Sequence, residues 1–385
     1  MERPQIVALG CWLVLACSGD DTDGATADTE TAMTTSGGSS AADDGGGTTA
    51  GRDDGDGDSS TTGSADSEGD ADTGESSGDS TGQPPPSGIC PAGPFADTPL
   101  PDGDVSATVV EGTSSDLYAG GLVEGPVWIG GELRLSHFAG GPTPASTILR
   151  LVPGQGLETS LANSGSNGLA VDIDGSLLAA THDDGALTRY DPDTGARSVV
   201  AAQYNGARFN SPNDIAVRGD GTIYFTDPTW QAPSPSPQPV TGVYRVETDG
   251  TVTLVDGTIN MPNGISLSPD GATLYVSSID GVVRYTVEPD GSVPGVSQGF
   301  GPGVAGLDGM AMDCAGNLYV TVHGEGQVRV LDPTGTELGR ITVAGSLTNA
   351  AFGGDDGQTL YLTAGDPTGS NSVYTVQMPI PGYPF

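Results

Sequence analysis

The chain has 385 residues, 50 of them acidic and 12 basic, for a net charge of −38, and every basic residue is Arg. A surface this negative repels phosphate backbones and anionic headgroups, which excludes nucleic-acid partners, disfavours polyanionic substrates and leaves cations and small neutral molecules. No aromatic residue lies between Ser18 and Gly88, so a packed core is confined to the residues after Gly88.

Residues 1–16 read as an export leader, with Arg3 near the start and an apolar run from Ile6 to Ala16 that is too short to span a bilayer. The run ends at Leu15-Ala16-Cys17, which resembles the bacterial lipoprotein processing site and marks Cys17 for acylation. The expected location is the bacterial cell envelope, with membrane contact only through the lipid; secretion after plain cleavage is the alternative. Residues 17–88 are Gly, Ser, Thr, Asp and Ala almost throughout, with 17 acidic residues against one Arg. This composition predicts a disordered acidic tether with a root-mean-square span of roughly 45 Å. The folded domain is expected over 89–385. Cys90 and Cys314, the thiols left after Cys11 and Cys17 are accounted for, can pair in an oxidising compartment or stay free.

From Glu124 onward one segment recurs six times. Glu124-Gly125-Pro126, Asn167-Gly168-Leu169, Asn213-Asp214-Ile215, Asn263-Gly264-Ile265, Asp308-Gly309-Met310 and Asn349-Ala350-Ala351 each open a short apolar strand, at steps of 43, 46, 50, 45 and 41 residues. Each strand is followed by a Gly-containing turn such as Asp174-Gly175 and by a returning strand. A third strand follows in most units. Units of about 45 residues, built of short antiparallel strands without helical periodicity, predict an all-β, six-bladed β-propeller. Val105–Val110 is expected to supply the outer strand that closes blade six.

If the first strand of each blade lines the channel, the six opening residues converge at one rim. Glu124, Asn213, Asn263 and Asp308 then offer two carboxylates and two amide oxygens, a set that suits one hard divalent cation. Delivery from four blades favours the tolerant geometry of Ca²⁺ over octahedral Mg²⁺, with Zn²⁺ and Mn²⁺ as further options. His182 and His323 each lie 15 positions after a ring residue, on strands that return to the same rim, while His137 and Asp227 sit one register earlier. These imidazoles can shuttle protons or bind substrate, or simply bond a neighbouring blade. Gly301–Gly306 spells a dinucleotide fingerprint but precedes a strand, and no nucleophile elbow, HExxH or Walker segment occurs.

The segments Glu124-GPVW, Arg208-FNSPND, Ile223-YFTDP, Pro262-NGISLSPDG and Leu307-DGMAMDCAGNLYV resemble, in order, the signature segments of the gluconolactonase and regucalcin family, over about Glu124 to Ala364. That resemblance implies a six-bladed propeller with a central metal held at Glu124, Asn263 and Asp308, with Asn213 touching metal or substrate and Asp308 as general base. It further implies a small lactone as substrate. Asn213, Asn167, Arg208, His182 and His323 are the candidate binding residues, and a monomer is expected. Two departures bear on substrate identity: His137 stands where many members have Asp, and the Ser211-Pro212 insertion displaces Arg208 from its usual place. The alternatives are a phosphotriesterase-like hydrolase on the same centre, or a non-catalytic Ca²⁺-stapled propeller that binds a protein or sugar.

Overall fold

The computed structural model describes residues 90–383 apart from 101–103, 116, 119, 192–193 and 366–370. The leader, Cys17 and the polar tract lie outside the described residues. Six antiparallel sheets follow one another in chain order and form the six blades. Blade one comprises Leu122–Ile129, Glu132–Phe138, Ser146–Val152 and Gly156–Ala162, and blade two Ser166–Val171, Leu177–Thr181, Ala186–Tyr190 and Arg197–Ala201. Blade three holds Ile215–Val217, Ile223–Asp227, Gly242–Val246 and Val252–Asp256, and blade four Pro262–Leu267, Thr273–Ser278, Gly281–Thr286 and Gln298–Phe300. Blade five holds Leu307–Met312, Leu318–Val322, Gln327–Leu331 and Glu337–Thr342; blade six has Ser346–Gly353, Thr359–Gly365 and Asn371–Gln377 as its inner three strands. The first strands of neighbouring blades touch right round the ring, and Leu122–Ile129 meets both Ser166–Val171 and Ser346–Gly353. The opening strands therefore line the centre.

Ring closure uses the segment after Cys90, and differs in one respect from expectation. Only Thr108–Val109 pairs with Asn371–Gln377 as the outer strand of blade six. Val105–Ser106 instead runs parallel to Glu337–Thr342 as a fifth strand on blade five. The chain crosses between the two blades at Ala107, whose N–H donates to the Thr342 carbonyl. The local β pattern of Val105–Val110 cannot distinguish one edge from the next, because both offer the same unpaired backbone groups.

The core lies between blades. Leu274, Val276, Met310 and Val320 pack where blades four and five face each other. Phe209, Phe225 and Tyr244 form an aromatic cluster between blades two and three, with ring centroids 4.9 to 5.3 Å apart. Cys90 and Cys314 form a disulfide with a Cα–Cα separation of 5.5 Å. Cys314 lies in the turn after Leu307–Met312, where the Cys314 N–H also donates to Pro381 and the Tyr383 N–H to Met312. Both ends of the described chain are thus pinned at one turn of blade five.

Candidate active site

A recurrent bulge brings the opening residues together. In blades one, two, four, five and six the register of the first strand shifts beside or across the opening residue, as between Glu124 and Val127, Leu307 and Met310 or Leu347 and Asn349. Such a shift breaks the ladder and re-aims a side chain, here from the sheet face toward the channel. The glycine that follows lets the next blade approach. A Cβ on Gly168 would stand 2.3 Å from the Asn213 carbonyl oxygen and 2.7 Å from the Asp214 Cα. Asn-Gly in this chain therefore serves close backbone approach, not a hairpin.

Glu124, Asn167, Asn213, Asp214, Asp308 and Asn349 are all buried, and Asn263 is half-buried. The Glu124 carboxylate accepts the Gly125 N–H at 3.2 Å and bonds the Asn349 side chain. Burial raises it well above the ordinary carboxylate range, and the nearby charges of Asp308 and Asp214 raise it further. Asp308 is raised too, by burial, although His323, Asn263 and the Gly309 N–H all favour its charged form. Asp214 accepts the Ile215 N–H at 3.0 Å and the Ile265 N–H at 3.4 Å, and burial pushes it up to about 7. Three buried carboxylates thus sense one another, among amide side chains from other blades. Among the described residues, no three His, Cys, Asp or Glu side chains converge closely enough to hold a metal by themselves. Any cation here has to share its coordination between carboxylate and amide oxygens. The buried Oδ1 of Asn167 has no hydrogen-bond partner, which adds an unsatisfied oxygen of the right kind.

The remaining residues marked in the sequence divide by task. His323 reaches the ring, its Nδ1 2.9 Å from the Leu347 carbonyl and 3.3 Å from Asp308 Oδ2, and the Asp308 carboxylate raises the imidazole above its usual value. His182 is fully buried, edge-on to Phe138 at 5.0 Å, and burial lowers it to about 4. It lies near the Pro144 carbonyl, but neither ring nitrogen has a hydrogen bond of good geometry. His137 bonds Ser115 Oγ at 3.0 Å and the Asn371 side chain of blade six at 3.4 Å. The Arg208 guanidinium donates to the carbonyls of His182, Asp183 and Phe209 at 3.0 to 3.1 Å, and so staples blade two to blade three.

Three further positions take on roles that local sequence does not assign. Asp227, completely buried and pushed up to about 7 by burial, accepts the Asn210 and Ser211 N–H groups at 2.9 and 2.8 Å and thereby holds the segment that presents Asn213. Asn349 has the ring phase of the sixth repeat, which is a usable signal. Asp214 stands in the slot that Gly occupies in four of the other repeats, and that substitution is the signal for it.

The family described as "SMP-30/Gluconolactonase/LRE-like region" matches residues 122–366. A gluconolactonase of Zymomonas mobilis is 33% identical over 296 residues, covering 68% of this chain and 80% of that protein. A pentonolactonase of Haloferax volcanii is 31% identical over 258 residues, covering 65% of this chain and 84% of its own length. Among solved structures, a Xanthomonas campestris gluconolactonase superposes with a TM-score of 0.60 at 28% identity, over 75% of this chain and 99% of that one. With a match that takes in all six ring residues, this chain belongs to the SMP-30/gluconolactonase/LRE-like family.

Proposed function

We propose that this propeller hydrolyses a small lactone of the sugar-acid type with the help of one divalent cation, Ca²⁺ being the best fit, held by Glu124, Asn213, Asn263 and Asp308. The observation that carries the reading is the convergence of buried, mutually repelling Glu124, Asp214 and Asp308 with the amide side chains of Asn263 and Asn349. Buried like charges are costly without a compensating ion, and oxygen donors from several blades suit a hard cation of flexible geometry. The lactonase names of the sequence relatives support the substrate class.

When bound, the cation supplies Lewis-acid polarisation of the lactone carbonyl. The chain's own groups do the rest. Asp308 takes a proton from water as the water oxygen attacks the carbonyl carbon, and the ring C–O bond breaks as the proton is returned to the departing alkoxide. His323 steadies the Asp308 carboxylate from 3.3 Å. Asn213, held through the Asp227 brace, and Asn167, with its free Oδ1, orient the ring hydroxyls. His182 stays neutral and walls the rim. With the export leader and Cys17, this reading is of a lipid-anchored envelope enzyme. The test is proton release on a panel of 1,4- and 1,5-aldonolactones: turnover above spontaneous opening is expected, and rates equal to the uncatalysed ones across the panel overturn the reading.

A further inference from the structure

Between Ile223–Asp227 and Gly242–Val246 blade three carries a 14-residue loop, 228–241, on the same rim as Asn213. Five of its residues are Pro, which stiffens it before any contact is made. The loop is also tied down. The Ser211 hydroxyl donates to the Pro228 carbonyl at 2.8 Å, and the Gln231 N–H donates back to that hydroxyl at 3.3 Å. The Gln231 carbonyl accepts the Thr143 N–H from blade one at 2.8 Å, so the loop bridges past blade two. Farther along, the Gln238 amide donates to the carbonyls of Tyr204, Ala207 and Arg208 at 2.8 to 3.1 Å.

Trp230 is the third residue of this strap, between two of its anchored positions. On one side Thr229 donates to the sulfur of Met261 at 3.4 Å, two residues before Asn263; on the other Gln231 is hooked to Ser211, two residues before Asn213. Both chain neighbours of Trp230 are thus tied to the stems of ring residues, while Trp230 itself is 42% exposed and belongs to none of the core clusters. Met261 holds a left-handed backbone, φ 52°, at this junction. Non-glycine residues persist in that region only where their surroundings impose it, most often beside functional sites. A large, flat aromatic carried by a braced loop on the rim of a polar site has a recognisable use, because it can offer an apolar face to a ligand whose other groups are polar.

We propose that Trp230 is a specificity-determining platform for the substrate, stacking on the C–H face of a neutral lactone ring while the ring oxygens and hydroxyls turn toward Asn213 and Asn263. The proposal rests on the lactonase reading above. Stacking of this kind acts on the bound ground state and the transition state alike, so it is read in KM and not in kcat. The test uses the full chain loaded with Ca²⁺ and an aldono-1,5-lactone. Trp230→Ala should raise KM about tenfold with kcat within about twofold, and Trp230→Phe should keep KM within about threefold of the parent. As a readout independent of turnover, the corresponding lactam should change the intrinsic fluorescence of the parent and leave that of Trp230→Phe unaltered. Trp12, and Trp128 already stacked on Tyr361 at 5.7 Å, are present in both proteins and cancel. A parent that turns over lactones, with Trp230→Ala unchanged in KM or the same fluorescence response in Trp230→Phe, overturns this proposal alone. A parent without lactone turnover overturns the lactonase reading and this proposal with it.

Discussion

Replacement of Gly168 by Ala should damage both the stability of the ring and its site, because that glycine is a point of close approach between blades two and three. Its N–H donates to the Asn213 carbonyl at 2.6 Å. An added Cβ would lie 2.3 Å from the Asn213 oxygen, 2.7 Å from the Asp214 Cα and 2.8 Å from Asp214 Oδ1. A comfortable heavy-atom contact is roughly 3.5 Å, so the two strands must part by about 1 Å, and most of what blocks the methyl is backbone that cannot rotate away. Overpacking of this kind costs about 1–3 kcal/mol, and weakening the Gly168–Asn213 hydrogen bond adds about 1 kcal/mol. For a domain of roughly 300 residues, whose unfolding entropy is about 0.6 kcal/mol/K, a loss of about 3 kcal/mol lowers Tm by roughly 5 °C. The assay is thermal and urea unfolding beside Gly303→Ala, where an added Cβ meets nothing within 4 Å and the change should stay within about 0.5 kcal/mol. Because Asn213 moves with the strand, lactone turnover should fall as well. A Gly168→Ala protein that melts with the parent would refute the close-approach explanation of the Asn-Gly repeat.

Asp308→Asn should leave a folded protein that still binds the cation but has lost most turnover, since an amide can ligate and cannot accept a proton; undiminished turnover excludes Asp308 as the base. Glu124→Gln should weaken Ca²⁺ binding by calorimetry before it affects the fold, and unchanged affinity removes Glu124 from the ligand set. Asp214 and Asp227, pushed up to about 7, keep protons in the native state that the unfolded chain loses near its ordinary value of about 3.9, so the cation-free protein loses stability as pH rises through that window, up to about 4 kcal/mol for each group. His182, lowered to about 4, works in the opposite sense until about pH 6.5, which leaves the steepest fall between about 6.5 and 7. Melting of chelated protein at about pH 5, 6.5 and 8 checks this, and a Tm that rises across the last interval contradicts it. Cys314→Ser opens a bridge spanning 224 positions and should cost about 2–5 kcal/mol. KM should be unchanged, because the turn lies six residues along the strand from Asp308, roughly 20 Å away; a shifted KM would show coupling between turn and rim.

The blades were legible because the same local chemistry repeats: a polar residue, a glycine, an apolar strand and a tight turn recur at a spacing that only a closed ring of sheets accommodates. The ring residues Glu124, Asn213, Asn263 and Asp308 were legible by phase. Asp214 was hidden because an Asn-Asp pair looks like an ordinary turn element, and only the close approach of Gly168 and Ile265 reveals that its carboxylate lies inside the ring. The resemblance marks Arg208 as a substrate residue, yet its guanidinium donates to two carbonyls of the His182–Asp183 turn as well as to that of its neighbour Phe209, and the contact across 25 residues has no local signature. The burial of His182 has the same origin: strand periodicity places it at the rim, but Phe138 comes from the blade before it.

The most direct test is a titration of Ca²⁺ into chelated full-length protein while aldonolactone hydrolysis is followed. Turnover should be absent at the start, rise in proportion to added cation and level off near one equivalent per chain, with Asp308→Asn binding the same equivalent without gaining activity. Chelated protein that hydrolyses the lactone as fast as the reloaded enzyme would contradict the account.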